Sequence, residues 1–133
     1  MQCVLEFHLA FDLPVALRPD PTRVSSALAE LRVALLVEEV QEFAIAARSG
    51  DIVAVADALA DIAYVTYGAA LTYGIDLDAV LWEVHASNMS KLGPDGRPVM
   101  RADGKVLKPA TYRPPNVEAV LTMQLPLPFD DGF

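Results

Sequence analysis

Glu38-Glu39-Val40-Gln41-Glu42 is followed, across one short break, by Val55-Ala56-Asp57-Ala58-Leu59-Ala60-Asp61-Ile62-Ala63-Tyr64. Both stretches read as helix. In the first, Glu38 and Glu42 fall about 40° apart around the helix axis, and Glu39 and Glu42 share a face. Three like charges so close repel one another, and no base stands within one turn to relieve them, Arg32 and Arg48 being further off. A divalent cation turns that repulsion into affinity, and Mg²⁺ favours carboxylate and phosphate oxygens. In the second stretch Asp57 and Asp61 stand at i and i+4 among apolar residues, where Asp is a poor helix former. Two antiparallel helices would set this pair opposite the glutamates and make one carboxylate cluster. The alternative is that all five acids simply face water, as acids on helix surfaces ordinarily do.

Outward from this stretch, Val24, Leu28, Leu31, Leu35 and Val40 recur at roughly helical spacing, so a long helix is expected over 22–48, ended by Ser49-Gly50. Asp51 is placed to cap the next helix, which runs to Tyr73 and stops at Gly74. Its small residues Ala54, Ala58, Ala63, Gly68 and Ala69 let neighbouring backbones approach closely. A third long helix is expected from about Asp76 through Leu77, Val80, Leu81 and Val84 towards Leu92, before Gly93-Pro94. A short helix over Val4 to Leu13, broken before Pro14, precedes a rigid Pro19-Asp20-Pro21 connector. Another short helix begins at Asn116 and carries Val117, Val120 and Leu121. Residues 93–115 have no sustained periodicity, and Pro98 to Leu107 is the sole candidate for strand. The expected fold is all-α: a helical bundle of three long helices plus short terminal helices. It forms one domain over 1–123, with 124–133 a proline-interrupted tail that is loose or packs on a partner.

A chain of 133 residues that is 53% hydrophobic is not disordered, and so small a bundle cannot easily bury that many apolar side chains. An oligomer is therefore expected, and the family resemblance described below implies that it is a homodimer or homotetramer. The net charge of −8 argues against a general nucleic-acid surface, which must neutralise phosphates. The charge is uneven, however. Lys91, Arg97, Arg101, Lys105, Lys108 and Arg113 face only Asp95 and Asp103 in the stretch after the helices, so an acidic segment precedes a basic loop. That suits a metal with a polyphosphate; a solvated loop of scattered charge is the plainer reading. Cys3 is the only cysteine, which excludes an intrachain disulfide and a thiolate cluster. Met1 to Leu17 contains Glu6, His8 and Asp12 and no basic leader, and no run of eighteen uncharged apolar residues suggests a membrane span. A cytoplasmic setting follows. A di-iron bundle would need Glu-x-x-His pairs, and none is present; hard oxygen ligands, and so Mg²⁺ or Mn²⁺, are the better match.

These residues resemble the MazG-like all-α NTP pyrophosphatase superfamily, which includes dimeric dUTPases and phosphoribosyl-ATP pyrophosphohydrolases and carries Glu-x-x-Glu on one helix and Glu-x-x-Asp on the next. Glu39 to Glu42 match the first half, with Glu38 as an additional acid, and Asp61 matches the final aspartate. Ala58 stands where the second glutamate belongs, and Asp57 beside it is expected to take over part of that role. Further blocks, 61–68, His85 to Lys91, Arg101 to Lys108 and Tyr112 to Pro115, look like a subgroup of dUTPases and phage-encoded relatives, including MazZ-type proteins.

The resemblance implies cleavage of a nucleoside triphosphate into a monophosphate and pyrophosphate, with Mg²⁺ or Mn²⁺. Glu38, Glu39, Glu42 and Asp61 would be catalytic and, with Asp57, hold the metal; Glu38 is the candidate to accept the proton of the attacking water. Asn88 and Lys91, at i and i+3, would face the substrate, with Lys105, Lys108, Tyr112 and Arg113 brought over the phosphates from the loop. His8 and Phe11 are expected at the base pocket, and the setting is the host cytoplasm if the chain is phage-encoded. The compact chain and short Ser49-Gly50-Asp51 connector resemble phage-type relatives that act on dGTP or GTP, so the resemblance implies one of these as substrate, with dUTP as the alternative. Two other classes stay open, a non-catalytic nucleotide-binding regulator and a purely structural helical oligomer.

Overall fold

A computed structural model describes residues 1–128; the end of the expected tail, 129–133, lies outside the described residues. The chain is all-α, and among the described residues no strand forms. It divides into two compact units. The first is Met1–Asp76 joined by the C-terminal segment from Leu125, and the second is Leu77–Gln124.

In the first unit α1 spans Gln2–Ala10, α2 Ser26–Ser49 and α3 Ile52–Tyr73. Helix α2 begins later than the periodicity suggests. The Asp20 carboxylate accepts from the Thr22 backbone N–H at 2.9 Å and from its hydroxyl at 2.6 Å, drawing Pro21–Arg23 into a separate 3₁₀ turn. The N-cap falls instead to Ser25, whose hydroxyl accepts from Leu28 N–H. Helix α1 ends at Ala10 rather than Leu13, because Asp12 turns to φ 52° and Leu13 N–H closes back on the His8 carbonyl.

The α2–α3 connector is as short as the sequence suggests. Gly50, at φ 73°, ends α2, and the Asp51 carboxylate accepts from Val53 and Ala54 N–H at 2.9 and 3.2 Å to start α3. Helix α3 ends at Gly74, whose φ is 71°.

The apolar core of this unit is Val4, Leu5, Leu71 and Leu127, with Met1, Leu9, Val15 and Tyr67 against it. Leu127 is 3% exposed and donates its N–H to the Leu17 carbonyl at 2.9 Å, so this part of the expected tail is core. The α2–α3 seam is made by small residues, Ala46 and Ala58 being buried, while Ile45, Ile52 and Val53 turn outward at 67%, 76% and 74% exposure. Helix α3 has the length and mean hydropathy (1.4) of a membrane span, but Asp57 and Asp61 interrupt it and it packs against α1 and α2.

In the second unit α4 spans Leu77–Met89 and α5 Val117–Met123. Asn116 caps α5 through Ala119 N–H, and its own N–H donates to Glu83 Oε1 at 2.7 Å, tying the start of α5 to α4. The stretch between the helices holds two isolated antiparallel bridges, Leu92 to Pro98 and Met100 to Val106, where the sequence offered a strand.

Candidate metal and nucleotide site

The two-residue connector makes α2 and α3 antiparallel and fixes which residues face each other. Glu42, Ile45, Ala46 and Ser49 of α2 line a cleft of about 290 Å³ with Ala54, Asp57 and Ala58 of α3. One turn further from the connector stands Glu39, half-buried among exposed acids. Its carboxyl is held above the ordinary carboxylate range, first by burial and then by the charges of Asp61, Glu42, Glu38 and Asp57, in that order. All five sequence-selected carboxylates therefore sit on one helical hairpin, and the other four bear on Glu39. Among the described residues no Lys, Arg or His forms an ion pair with any of them.

As the side chains stand, no three His, Cys, Asp or Glu residues among the described residues converge closely enough to hold a metal ion. The charges of Asp61, Glu42, Glu38 and Asp57 nevertheless all reach Glu39. In kind the set fits a hard divalent ion: five carboxylates, with neither thiolate nor imidazole among them.

In the second unit the structure gathers Asn88, Lys91, Lys108 and Tyr112. Lys91 Nζ donates to Asn88 Oδ1 at 2.7 Å, and the ammonium groups of Lys91 and Lys108 lie 5.9 and 4.6 Å from the Tyr112 ring centre. A hydrogen bond with Ser87, helped by the charges of Lys108 and Lys91, holds the Tyr112 phenol below its usual range. Arg113 is pinned by its backbone, its carbonyl accepting from the Ser87 hydroxyl and its N–H donating to Ser90 Oγ, both at 2.8 Å, which leaves its guanidinium exposed. Lys105 stands apart, in a turn where Arg101 pairs with Asp103 and the Lys105 N–H donates to Asp103. Ser87 and Ser90 were not singled out in the sequence. Their partner, the Arg113 backbone, lies more than twenty residues away in the chain, and only their i, i+3 spacing was visible in the sequence.

His8 is 2% exposed, its Nδ1 within 3.2 Å of the Pro14 carbonyl, to which it donates. Burial, with a contribution from the Arg32 charge, lowers its pKa from the usual 6.5. Phe11 is 64% exposed and lies 4.4 Å from the Phe7 ring, which in turn meets Tyr64 edge-on at 5.7 Å. Phe7 and Tyr64 thus join Phe11 in one aromatic cluster, and Tyr64 is three residues from Asp61 on α3.

An all-α chain with hard-oxygen donors on an antiparallel helix pair is suited to metal-dependent hydrolysis of a polyphosphate. Residues 4–88, more than half of the chain, match the family model of phosphoribosyl-ATP pyrophosphohydrolase, and the chain belongs to that family. No curated protein matches it.

The match covers α1 to α4 with all five carboxylates and ends at Asn88, before the basic loop. It corrects the expected function. The dGTP or GTP reading, its dUTP alternative and the non-catalytic regulator are overturned, because the matching family is a hydrolase family named for phosphoribosyl-ATP. The relation to the wider MazG-like superfamily stands, and the narrower dUTPase-like and MazZ-type subgroup is not what the match supports.

Proposed function

We propose that this chain hydrolyses phosphoribosyl-ATP to phosphoribosyl-AMP and pyrophosphate, breaking the bond between the α and β phosphates with one water. The observation that carries this reading is the family match over both acid-bearing helices. It is supported by the raised carboxyl of Glu39 among four other acids.

Glu39, Glu42, Asp57 and Asp61, with Glu38, would hold Mg²⁺ or Mn²⁺. The ion supplies charge neutralisation of the polyphosphate and a more acidic water. Glu38 takes the proton of the attacking water on a carboxylate oxygen. Within the second unit, Lys91 and Lys108, beside Asn88 and Tyr112, are cations of the kind that bind phosphate oxygens, with Arg113 and Lys105 as further cations. Phe11 and His8 belong to the side that receives the base.

The working protein is a homodimer or homotetramer in the cytoplasm. This is supported by the apolar side chains left outward, Ile45, Ile52, Val53 and Trp82 among them. The test is incubation of the purified protein with phosphoribosyl-ATP and Mg²⁺ or Mn²⁺, with separate assays for pyrophosphate and orthophosphate. Pyrophosphate with stoichiometric phosphoribosyl-AMP is expected. Orthophosphate, or no release with either metal, refutes the reading.

A further inference from the structure

The inward face of α2 buries Arg32 and Ala46 and carries Glu39, with Glu42 and Glu38 following on one side. About a third of a turn to the other side of Glu39 runs a row of Val33, Val37, Val40, Ala44 and Ala47. Val33, Val37 and Val40 are 54%, 48% and 52% exposed, and Ala47 is exposed with them. The row turns away from α3, which meets α2 on the Ala46 side. Its steps of four, three, four and three residues are those of a seam between two helices, where each side chain fits among residues of a facing helix.

The edge of this seam farther from Glu39 is marked by two charges. Glu30 and Arg48 are eighteen residues apart, five whole turns, so both stand on that edge, ~27 Å from one another. Neither side chain forms an ion pair among the described residues. The seam itself holds no charge.

These features select the partner. Laid antiparallel on a second copy of itself, the seam sets Val37 against Val40 and Val33 against Ala44 of the other copy. In that register, to within one residue, Glu30 meets Arg48 of the other copy, and two-fold symmetry makes the contact twice. An antiparallel pair brings like edges together. A parallel pair would instead lay the edge with Glu30 and Arg48 against the opposite one, where Leu36 and Phe43 stand.

We infer that a second copy of this chain docks antiparallel along residues 33–47 of α2, held in register by two Glu30–Arg48 contacts. This rests on the oligomer reading above and gives it a surface and a direction. The centre of the seam, between Val37 and Val40, is level with Glu38 and Glu39. The second copy therefore backs the turn of helix that carries the acids without covering them.

Sedimentation equilibrium of the full chain tests the contacts. Glu30→Arg and Arg48→Glu each replace two attractions by two repulsions and should weaken self-association by about tenfold. Combined in one chain, the two reversals re-create the pairs and should restore it to within about threefold. Disulfide trapping in a Cys3→Ser background reads the direction. Val33→Cys with Ala44→Cys should give a cross-linked dimer under mild oxidation. Either substitution alone should not, because the same position on the second copy lies ~16 Å further along the axis, beyond disulfide reach. Cross-linking by the single variants, or none by the double, overturns the inference. So do reversals that leave association unchanged or are not rescued in combination, and the oligomer reading then stands through another surface. A monomeric wild type overturns both, whereas pyrophosphate release from phosphoribosyl-ATP is judged separately.

Discussion

Gly50 and Gly74 have nearly the same backbone, φ 73° and 71°, and both end a long helix, yet alanine should be tolerated at one and not at the other. At Gly50 a new Cβ would meet nothing within 4 Å, so Gly50→Ala carries only the left-handed penalty, about 1 kcal/mol. At Gly74 the same Cβ would fall 2.1 Å from the Arg18 carbonyl oxygen and 2.5 Å from its carbon, which are backbone atoms with no rotamer to change. Nor can the 16–20 segment retreat. Ala16 N–H donates to Leu71 O, Asp20 N–H to Tyr73 O, and Leu17 O accepts from Leu127. Overpacking of this kind adds roughly 1–3 kcal/mol to the same left-handed term. A total near ~3 kcal/mol lowers Tm by about 10 °C in a chain of this length, against about 4 °C for Gly50→Ala. Thermal unfolding of the two variants by circular dichroism measures the difference. Equal Tm values would show that the approach of Arg18 to the end of α3 is not what the glycine serves.

Other consequences bear on the site and its electrostatics. Asp61→Asn and Glu42→Gln should lose pyrophosphate release by at least a hundredfold while circular dichroism stays helical; retained turnover in both would remove the carboxylates from the chemistry. In metal-free protein Asp61→Asn should unfold no earlier than the wild type, because it relieves Glu39 of its largest neighbouring charge. The rise in Tm that Mg²⁺ gives the wild type should be absent from the variant in the same scan. Since the Glu39 carboxyl is raised, its contribution to metal-free stability is present below the ordinary value of 4.5 and lost as pH rises through the folded-state value. His8 works in the opposite sense. Its pKa is lowered, so stability is present above 6.5 and lost as pH falls below that toward the folded-state value. Urea titrations between pH 7.5 and 5.5 should show the fall, and His8→Asn, which can still donate to Pro14, should flatten it.

What could be read in the sequence follows the range of the forces involved. Helix α3 announces both of its ends, because Asp51 and Gly74 cap it through contacts a few residues away, and the acid pattern on α2 and α3 is equally local. The 3₁₀ turn at Pro21–Arg23 was missed because Asp20 competes for Thr22, a choice that spacing does not show. Leu127 was missed for the opposite reason: its partners Val4, Leu5 and Leu71 are far away in the chain. Arg32 left a trace that went unused, for it stands between Leu28 and Leu35 on the apolar face of α2. The substrate was misread because the carboxylate motif encodes chemistry with metal and phosphate, which different bases and sugars share. The dGTP reading leaned on the compact chain and the short Ser49-Gly50-Asp51 connector, and of the blocks that suggested the subgroup, Arg101 to Lys108 and Tyr112 to Pro115 lie beyond residue 88, where the family match ends.

The Gly50-Asp51 connector has an implication for how such a chain can change. An added residue there would break the tight turn made by the left-handed Gly50 and the Asp51 cap, and with it the register that sets the acids of one helix against the other. The turns at Gly96 and Gly104 have no such gearing, and a change of length there leaves the α2–α3 hairpin untouched. Descendants of this sequence should therefore record their history of insertions and deletions far from the hairpin, with the two-residue hinge inherited at constant length.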